Sequence, residues 1–230
     1  MFQDNRVPTS SIRTFVEDTL HIRGYLHTPE TPNNDVLILT HGAGSSAQAP
    51  LLVALAEAFA SAGLTVLRCD LPYRQSRSFG PPGPGDAARD RQGLKNAITA
   101  MKKQLSGRIF LGGHSYGGRQ SSMLCAEEPG LVEGLVLLSY PLHPPRKPTQ
   151  LRTQHLPSLR TPTLFIQGTR DPFASIAEIE QALKMIPAKT KLLVIESAGH
   201  DLGFKGKGKQ QELPKQVLRS LQEFAREVLT

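Results

Sequence analysis

The composition of this 230-residue chain excludes several classes of protein. Hydrophobic residues make up 39% and charged residues 20%, which is typical of a folded domain and not of a disordered or fibrous chain. The apolar runs are far shorter than the ~20 residues that a membrane helix needs, and the polar first residues differ from a signal peptide. Cys69 and Cys125 are too far apart for a CxxC motif. We therefore expect two reduced thiols in a cytoplasmic protein, with no metal site.

The net charge of +7 arises in two segments, 143–160 and 203–209. These segments contain seven basic residues and no acidic one, which accounts for the whole net charge: Arg146, Lys147, Arg152, Arg160, Lys205, Lys207 and Lys209. Solvated basic residues commonly keep exposed loops soluble. Because only Phe204 accompanies them, stacking on single-stranded nucleic acid has little support, and we do not expect a nucleic-acid partner.

The first half of the chain predicts a hairpin followed by alternating strands and helices. The run VLILT is typical of a strand covered on both faces, and Gly63 follows an amphipathic stretch as a helix-ending glycine would. In chain order, the predicted elements are the hairpin strands Ile12–Val16 and Leu20–His27, the strand Asp35–Thr40, the helix Pro50–Ala62, the strand Leu64–Cys69, a loop over Asp70–Gly85 and a helix over Asp86–Leu105 that Asp86 caps.

The second half continues the same alternation, which predicts a mostly parallel α/β sheet. The predicted elements are the strand Arg108–Gly112, a helix that ends before Pro129, the strand Leu135–Ser139, a Pro-rich insertion over 141–162, the strand Thr163–Gln167, the helix Ser175–Met185, the strand Lys191–Glu196 and the helix Leu213–Leu229. Six prolines within 141–162 exclude a large helical cap there, and Pro214 is expected in the first turn of the last helix. No repeat or linker divides the chain, so we predict one domain over residues 1–230.

The strongest chemical signal is the sequence GHSYGG, which begins at Gly113 and lies between a predicted strand and a predicted helix. This is the context that a G-x-S-x-G nucleophile elbow requires. A sharp strand-to-helix turn would expose the hydroxyl of Ser115, and glycines on either side would avoid collisions with nearby backbone. We predict that Ser115 is a nucleophile.

A serine nucleophile needs a base that is oriented by an acid. Asp171 and His200 each lie four residues beyond a later predicted strand, at the edge where an open α/β sheet binds its ligands. The chain order Ser115, Asp171, His200 is the order expected for a nucleophile elbow. Asp201 is a weaker candidate for the acid, because adjacent side chains usually point apart. We therefore predict a Ser115–His200–Asp171 triad.

An oxyanion intermediate needs two N–H donors. The residue after the nucleophile, Tyr116, should supply one. The glycine-rich loop HGAGSS, which begins at His41, should supply the other, from Ala43 or, as a second choice, from Gly42.

Taken together, the HGAG loop, the GHSYGG elbow, the GTRDPF turn and the AGH turn resemble the α/β-hydrolase superfamily. The similarity extends from about Ile12 to Leu229, and the short, capless form is similar to dienelactone-hydrolase-like proteins and small testis-expressed hydrolase-like proteins. Ser115 stands where classical dienelactone hydrolases have cysteine. The resemblance implies an α/β-hydrolase fold and a serine esterase or thioesterase that acts on a small acyl substrate without a cofactor.

Two alternatives remain open. Gly42, Gly44 and Ala47 follow a strand, and Asp70 ends the next one, which is the pattern of a dinucleotide-binding turn. That interpretation leaves the elbow, Asp171 and His200 unexplained. The second alternative is a catalytically silent scaffold with a hydrolase fold that acts in a protein complex. The sequence leaves the oligomeric state open.

Several polar residues lie near the predicted site. His41 either orients the oxyanion loop or contacts substrate, and we expect His114 to pack beside the elbow. Arg74, Arg77 and Arg119 are candidates for binding an anionic substrate.

Overall fold

A computed structural model describes residues 10–205 and 209–228. Eight strands form one sheet in the order β1-β2-β4-β3-β5-β6-β7-β8. The strands are β1 (Ser10–Glu17), β2 (Ile22–Pro29), β3 (Val36–Thr40), β4 (Thr65–Cys69), β5 (Ile109–His114), β6 (Gly134–Leu138), β7 (Thr163–Gly168) and β8 (Thr190–Ile195). β2 pairs antiparallel with β1 and β4, and every other pair is parallel. The predicted hairpin and parallel α/β sheet are confirmed.

Helices cover both faces of the sheet. They are α1 (Pro50–Ser61), α2 (Pro72–Ser76), α3 (Asp86–Gln104), α4 (Tyr116–Glu127), α5 (Ile176–Leu183) and α6 (Lys209–Val228). Side chains alternate along β3, so that Ile38 packs with α3 and α4 while Leu37 and Leu39 pack with α1 and α6. Strands buried on both faces explain the continuous apolar runs.

Three local predictions were wrong. The predicted loop 70–85 contains α2, which begins at Pro72. The last helix begins at Lys209, so Pro214 lies inside it and not in its first turn; Leu229 lies outside the described residues. Asp86 does not cap α3, because its carboxylate accepts the Gly83 N–H and binds Arg77 instead of the helix N–H groups.

The described residues between β6 and β7 form only a single 3₁₀ turn, Leu156–Ser158, so the sheet carries no helical cap at this point. Cys69 and Cys125 are free and buried, and burial raises the pKa of each thiol to about 12. Within 10–205 and 209–228, no helix has both the length and the apolarity to cross a bilayer, and no group of three His, Cys, Asp or Glu side chains is arranged to hold a metal ion.

Candidate active site

Four loops meet at the carboxyl edge of the sheet, where β3, β5, β7 and β8 end. They carry Ala43, Ser115, Asp171 and His200 respectively. Because parallel strands deliver their following loops to one edge, residues far apart in the chain become neighbours there.

Ser115 lies at the turn between β5 and α4 with φ 52° and ψ −114°. This backbone conformation is strained for a residue with a side chain. The Ser115 N–H donates to the Leu138 carbonyl at 2.8 Å, which fixes the turn against β6. A Cβ on Gly113 would lie 2.7 Å from the Gly117 carbonyl carbon, and one on Gly117 would lie 2.6 Å from the His41 oxygen. Both glycines are therefore required for close backbone approach, as the elbow pattern predicts.

The three predicted triad side chains form one hydrogen-bonded chain. His200 Nε2 lies 2.8 Å from Ser115 Oγ, and His200 Nδ1 lies 2.8 Å from Asp171 Oδ2 and 3.1 Å from Oδ1. Since a carboxylate only accepts, Nδ1 carries the proton, and Nε2 is free to accept from the Ser115 hydroxyl. The arrangement can remove a proton from Ser115 as that oxygen attacks an electrophile.

Contacts with neighbouring backbone groups and with the Phe173 ring fix the positions of Asp171 and His200. The Asp171 side chain is fully buried, and its Oδ1 also accepts the Phe173 N–H at 2.9 Å. The Arg170 N–H donates to the Ala198 carbonyl at 2.8 Å, which joins the loop after β7 to the loop after β8. The Phe173 ring covers the His200 ring with centroids 4.2 Å apart. Asp201, the weaker candidate, accepts the Gly203 N–H instead.

The orientation of the loop after β3 distinguishes its two candidate donors. The Gly42 carbonyl accepts from His41 Nδ1, the Ser45 N–H and the Tyr73 hydroxyl, at 2.9, 3.0 and 3.3 Å. In a trans peptide the N–H points opposite to the carbonyl, so the Ala43 N–H points away from these three groups. It donates to no group in the described chain, and Ala43 lines the cleft beside Ser115. The geometry favours Ala43 over Gly42.

The backbone N–H of Tyr116 is the second candidate donor to an oxyanion. Tyr116 is the first residue of α4, where an N–H has no acceptor within its own helix. Its hydroxyl points elsewhere and donates to Asp90 at 2.7 Å. Asp90 is fully buried and also accepts the Tyr73 N–H at 3.1 Å, so it connects the start of α4 to α2. Burial raises the pKa of the Asp90 carboxyl and of the Tyr116 hydroxyl.

The first two candidate arginines bind the protein itself. Arg74 is 7% exposed and donates to the carbonyls of Ser45, Gly80 and Arg77 at 2.7, 2.8 and 3.1 Å. It therefore clamps the oxyanion loop to the loop after α2. Arg77 pairs with Asp86 at 2.6 Å. Neither lines the cleft, and we do not propose either as a substrate contact.

The two histidines near the elbow also serve the framework. His41 is fully buried, donates from Nδ1 to the Gly42 carbonyl and accepts the Leu71 N–H on Nε2 at 3.1 Å. It orients the loop and leaves no ring nitrogen for substrate. His114 donates from Nε2 to the His200 carbonyl at 2.7 Å. Burial, with the neighbouring His200, lowers the pKa of His114 to about 4, so that it is neutral at pH 7.

A cleft of ≈ 580 Å³ opens above Ser115. Its apolar lining includes Pro81, Pro82, Pro141 and Phe173. These residues come from the glycine- and proline-rich loop before α3, the Pro-rich insertion and the loop after β7. Arg119 and Arg152 also line the cleft.

Sequence reasoning missed Tyr73, Asp90 and Arg152 as parts of the site. Asp90 carried a usable signal, because it shares the buried stripe of α3 with Leu94 and Ala97 and is an acid in an apolar position. Arg152 lies in an irregular segment with no periodicity, so nothing in the sequence distinguishes it from its exposed basic neighbours.

The dinucleotide-binding alternative fails on two structural points. The chain after β3 runs nine residues before α1 begins at Pro50, so its glycines do not open a helix. Asp70, the supposed ribose acid, accepts the Ala47 N–H at 2.7 Å and thus fastens the same loop.

The sheet order, the elbow and the hydrogen-bonded chain define a protein of the α/β-hydrolase class. Comparison with known families agrees: the model described as "Alpha/beta hydrolase domain" matches residues 33–229, and the chain belongs to this family.

Solved structures share the fold over almost the whole chain. A dienelactone hydrolase from Anabaena variabilis is 22% identical with a TM-score of 0.72, covering 97% of this chain and 99% of its own. An α/β serine hydrolase homologue from Coxiella burnetii is 19% identical with a TM-score of 0.72, covering 94% and 100%. The esterase Pf2001 from Pyrococcus furiosus is 16% identical with a TM-score of 0.68, covering 97% and 94%. At these identities the likeness is one of fold.

Proposed function

We propose that this protein is a single-domain serine hydrolase that cleaves a carboxylester or thioester through an acyl-enzyme. The observation that carries the proposal is the 2.8 Å contact of His200 with both Ser115 and Asp171 at the base of an open cleft. The family and its structural neighbours, which include a dienelactone hydrolase and an esterase, support the same reaction class.

In the acylation step, Ser115 Oγ forms a bond to the substrate carbonyl carbon while its proton passes to His200 Nε2. The carbonyl π electrons move onto oxygen, where the N–H groups of Tyr116 and Ala43 stabilise the negative charge. Asp171 stabilises the resulting imidazolium. The intermediate then collapses, the bond to the leaving oxygen or sulfur breaks, and His200 donates its proton to that atom.

In the deacylation step, water enters the open cleft and gives a proton to His200 Nε2 as its oxygen attacks the acyl carbon. Collapse of the second intermediate returns the proton to Ser115 and releases the acid. The proposed chemistry uses the side chains of Ser115, His200 and Asp171, two backbone N–H groups and water. A cytoplasmic location remains a prediction from the two reduced cysteines.

The test is steady-state hydrolysis of short nitrophenyl esters and acyl thioesters by wild type and Ser115→Ala. We expect turnover by wild type and loss of turnover in the variant at unchanged thermal stability. Full activity of the purified variant would refute the assignment. A folded wild type that hydrolyses no acyl substrate would instead favour the scaffold alternative.

A further inference from the structure

Two arginines face the cleft without any acidic partner. Arg119 lies on α4 four residues after Ser115, and Arg152 lies in the Pro-rich insertion. In the described chain, neither guanidinium forms an ion pair or a side-chain hydrogen bond, and the buried Nε of Arg119 has no acceptor. The cleft lining contains no Asp or Glu. Arginine stays charged at any ordinary pH, so the cleft carries uncompensated positive charge.

Two other arginines, the partly buried Arg91 and the more exposed Arg108, each bind an acid. Arg91 binds Glu127 at 3.0 Å, and Arg108, which lines a separate cavity at the opposite edge of the sheet, binds Asp35 at 2.6 Å. Leaving partly buried guanidiniums unpaired costs free energy, and a bound anion would recover it.

The groups behind the two arginines do not compensate them. Ser122, Tyr140 and His155 form a closed hydrogen-bonded cluster with one another at 2.9–3.0 Å. Burial, together with the charge of Arg119, lowers the pKa of His155 to about 4, so this cluster is neutral. Burial and repulsion by Arg119 lower the pKa of Arg152. The positive charge is therefore directed at whatever occupies the cleft.

We propose that Arg119 and Arg152 bind a carboxylate on the substrate, which makes the preferred substrate a hemiester or hemithioester of a short dicarboxylic acid. This inference rests on the proposed function of Ser115. Arg119 lies about one helical turn beyond Ser115, a rise of ~6 Å, and both side chains line the same cleft, so a short acyl chain is the length to test first. A carboxylate placed there binds a guanidinium through two parallel hydrogen bonds.

The test compares monobenzyl glutarate with benzyl pentanoate, which has the same acyl length without the carboxylate. Release of benzyl alcohol gives kcat/KM for each, and their ratio is the readout. We expect wild type to prefer the glutarate by about tenfold or more. Arg119→Gln and Arg152→Gln should each reduce that ratio, mainly through KM, and the double variant should abolish it. Arg160→Gln is the matched control, because it removes one exposed charge from the same segment outside the cleft.

Failure of the subsite and failure of the enzyme give different results. Equal kcat/KM for the two esters, or a preference that persists in the double variant, overturns the carboxylate subsite and leaves the hydrolase intact. If neither ester is cleaved, calorimetric titration of glutarate tests whether the cleft binds a carboxylate in the absence of catalysis. Binding that is lost in both Arg119→Gln and Arg152→Gln supports the subsite without catalysis, and absence of binding overturns it. Both side chains are partly buried, but Arg152 lies on an irregular segment and Arg119 in α4, so Arg152→Gln is the variant less prone to folding defects.

Discussion

A methyl group at Gly42 should impair the enzyme, whereas a methyl group at Gly44 should not. A Cβ at Gly42 would lie 2.9 Å from His114 Nδ1 and 3.5 Å from Ser115 Cβ, and a Cβ at Gly44 has no atom within 4 Å. The first contact is about half an ångström shorter than ordinary van der Waals separation.

His114 cannot move away without cost. Its Nε2–H binds the His200 carbonyl at 2.7 Å, and its ring lies 5.0 Å from the His200 ring. Gly42→Ala therefore either displaces the Ala43 N–H from the oxyanion or shifts His200 away from Ser115. Complete loss of one oxyanion donor costs about 10²–10³ in kcat. Since the loop needs to move only a fraction of an ångström, we expect a partial loss of about 10- to 100-fold, or about 1.4–2.7 kcal/mol in the activation free energy.

The assay is kcat/KM on one activated ester for wild type, Gly42→Ala and Gly44→Ala, with urea denaturation of all three. Gly42→Ala should lose kcat more than it raises KM, and overpacking should lower its unfolding free energy by about 1–3 kcal/mol. Gly44→Ala should match wild type. Wild-type kcat in Gly42→Ala, or an equal loss in Gly44→Ala, would refute the proposed role of this loop.

Three further outcomes follow from the same geometry. Asp171→Asn should lower kcat by about 10⁴, because an amide can stabilise the wrong His200 tautomer, while its urea midpoint stays close to that of wild type; a loss below tenfold would contradict the triad. Tyr73→Phe removes the hydroxyl that donates to the Ala43 carbonyl at 2.9 Å. We therefore expect kcat to fall and the unfolding free energy to drop by about 1 kcal/mol. An unchanged kcat would contradict a role of this contact in positioning the loop. The third outcome concerns three histidines whose pKa lies at about 4 in the folded chain. As the pH drops from 6.5 towards 4, the unfolded chain binds protons at these histidines that the folded chain excludes, so the unfolding free energy should fall. Each of the three contributes up to about 1.4 kcal/mol per pH unit. A flat urea midpoint between pH 7 and 5 would contradict this. The histidines whose pKa burial lowers to about 4 are His27, His114 and His155.

The sheet could be predicted from local patterns, and the same patterns identified Ser115, Asp171 and His200 as candidates that follow strand ends. A strand buried on both faces must be apolar throughout, as β3 is, and an elbow needs Gly113 and Gly117 because their missing side chains leave room for backbone. Strand topology then carries Asp171 and His200 to the same edge. Their 2.8 Å contact follows from where β7 and β8 end, without any local signal that they pair.

The sequence could not distinguish which of the candidates Arg74, Arg77 and Arg119 binds the protein itself and which faces the cleft, since this depends on long-range contacts. Arg74 lies in α2 and Arg119 in α4, both near the site, yet Arg74 donates to four backbone carbonyls and Arg119 faces the cleft. Which acceptors surround a guanidinium is decided by loop packing, as for the carbonyls of Ser45 and Gly80. The start of α6 was also predicted too late, because Pro214 indicated a first helical turn, whereas the helix begins one turn earlier, where residues 210–212 are exposed.

An activated Ser115 is the central claim, and intact-mass spectrometry after fluorophosphonate treatment tests it most directly. The matched control is Ser45→Ala, which removes another serine hydroxyl that lines the same cleft. Wild type and Ser45→Ala should each gain the mass of one adduct, and Ser115→Ala should gain none. An adduct that persists in Ser115→Ala, or a folded wild-type protein that gains no adduct, would contradict the claim that Ser115 is the nucleophile of this hydrolase.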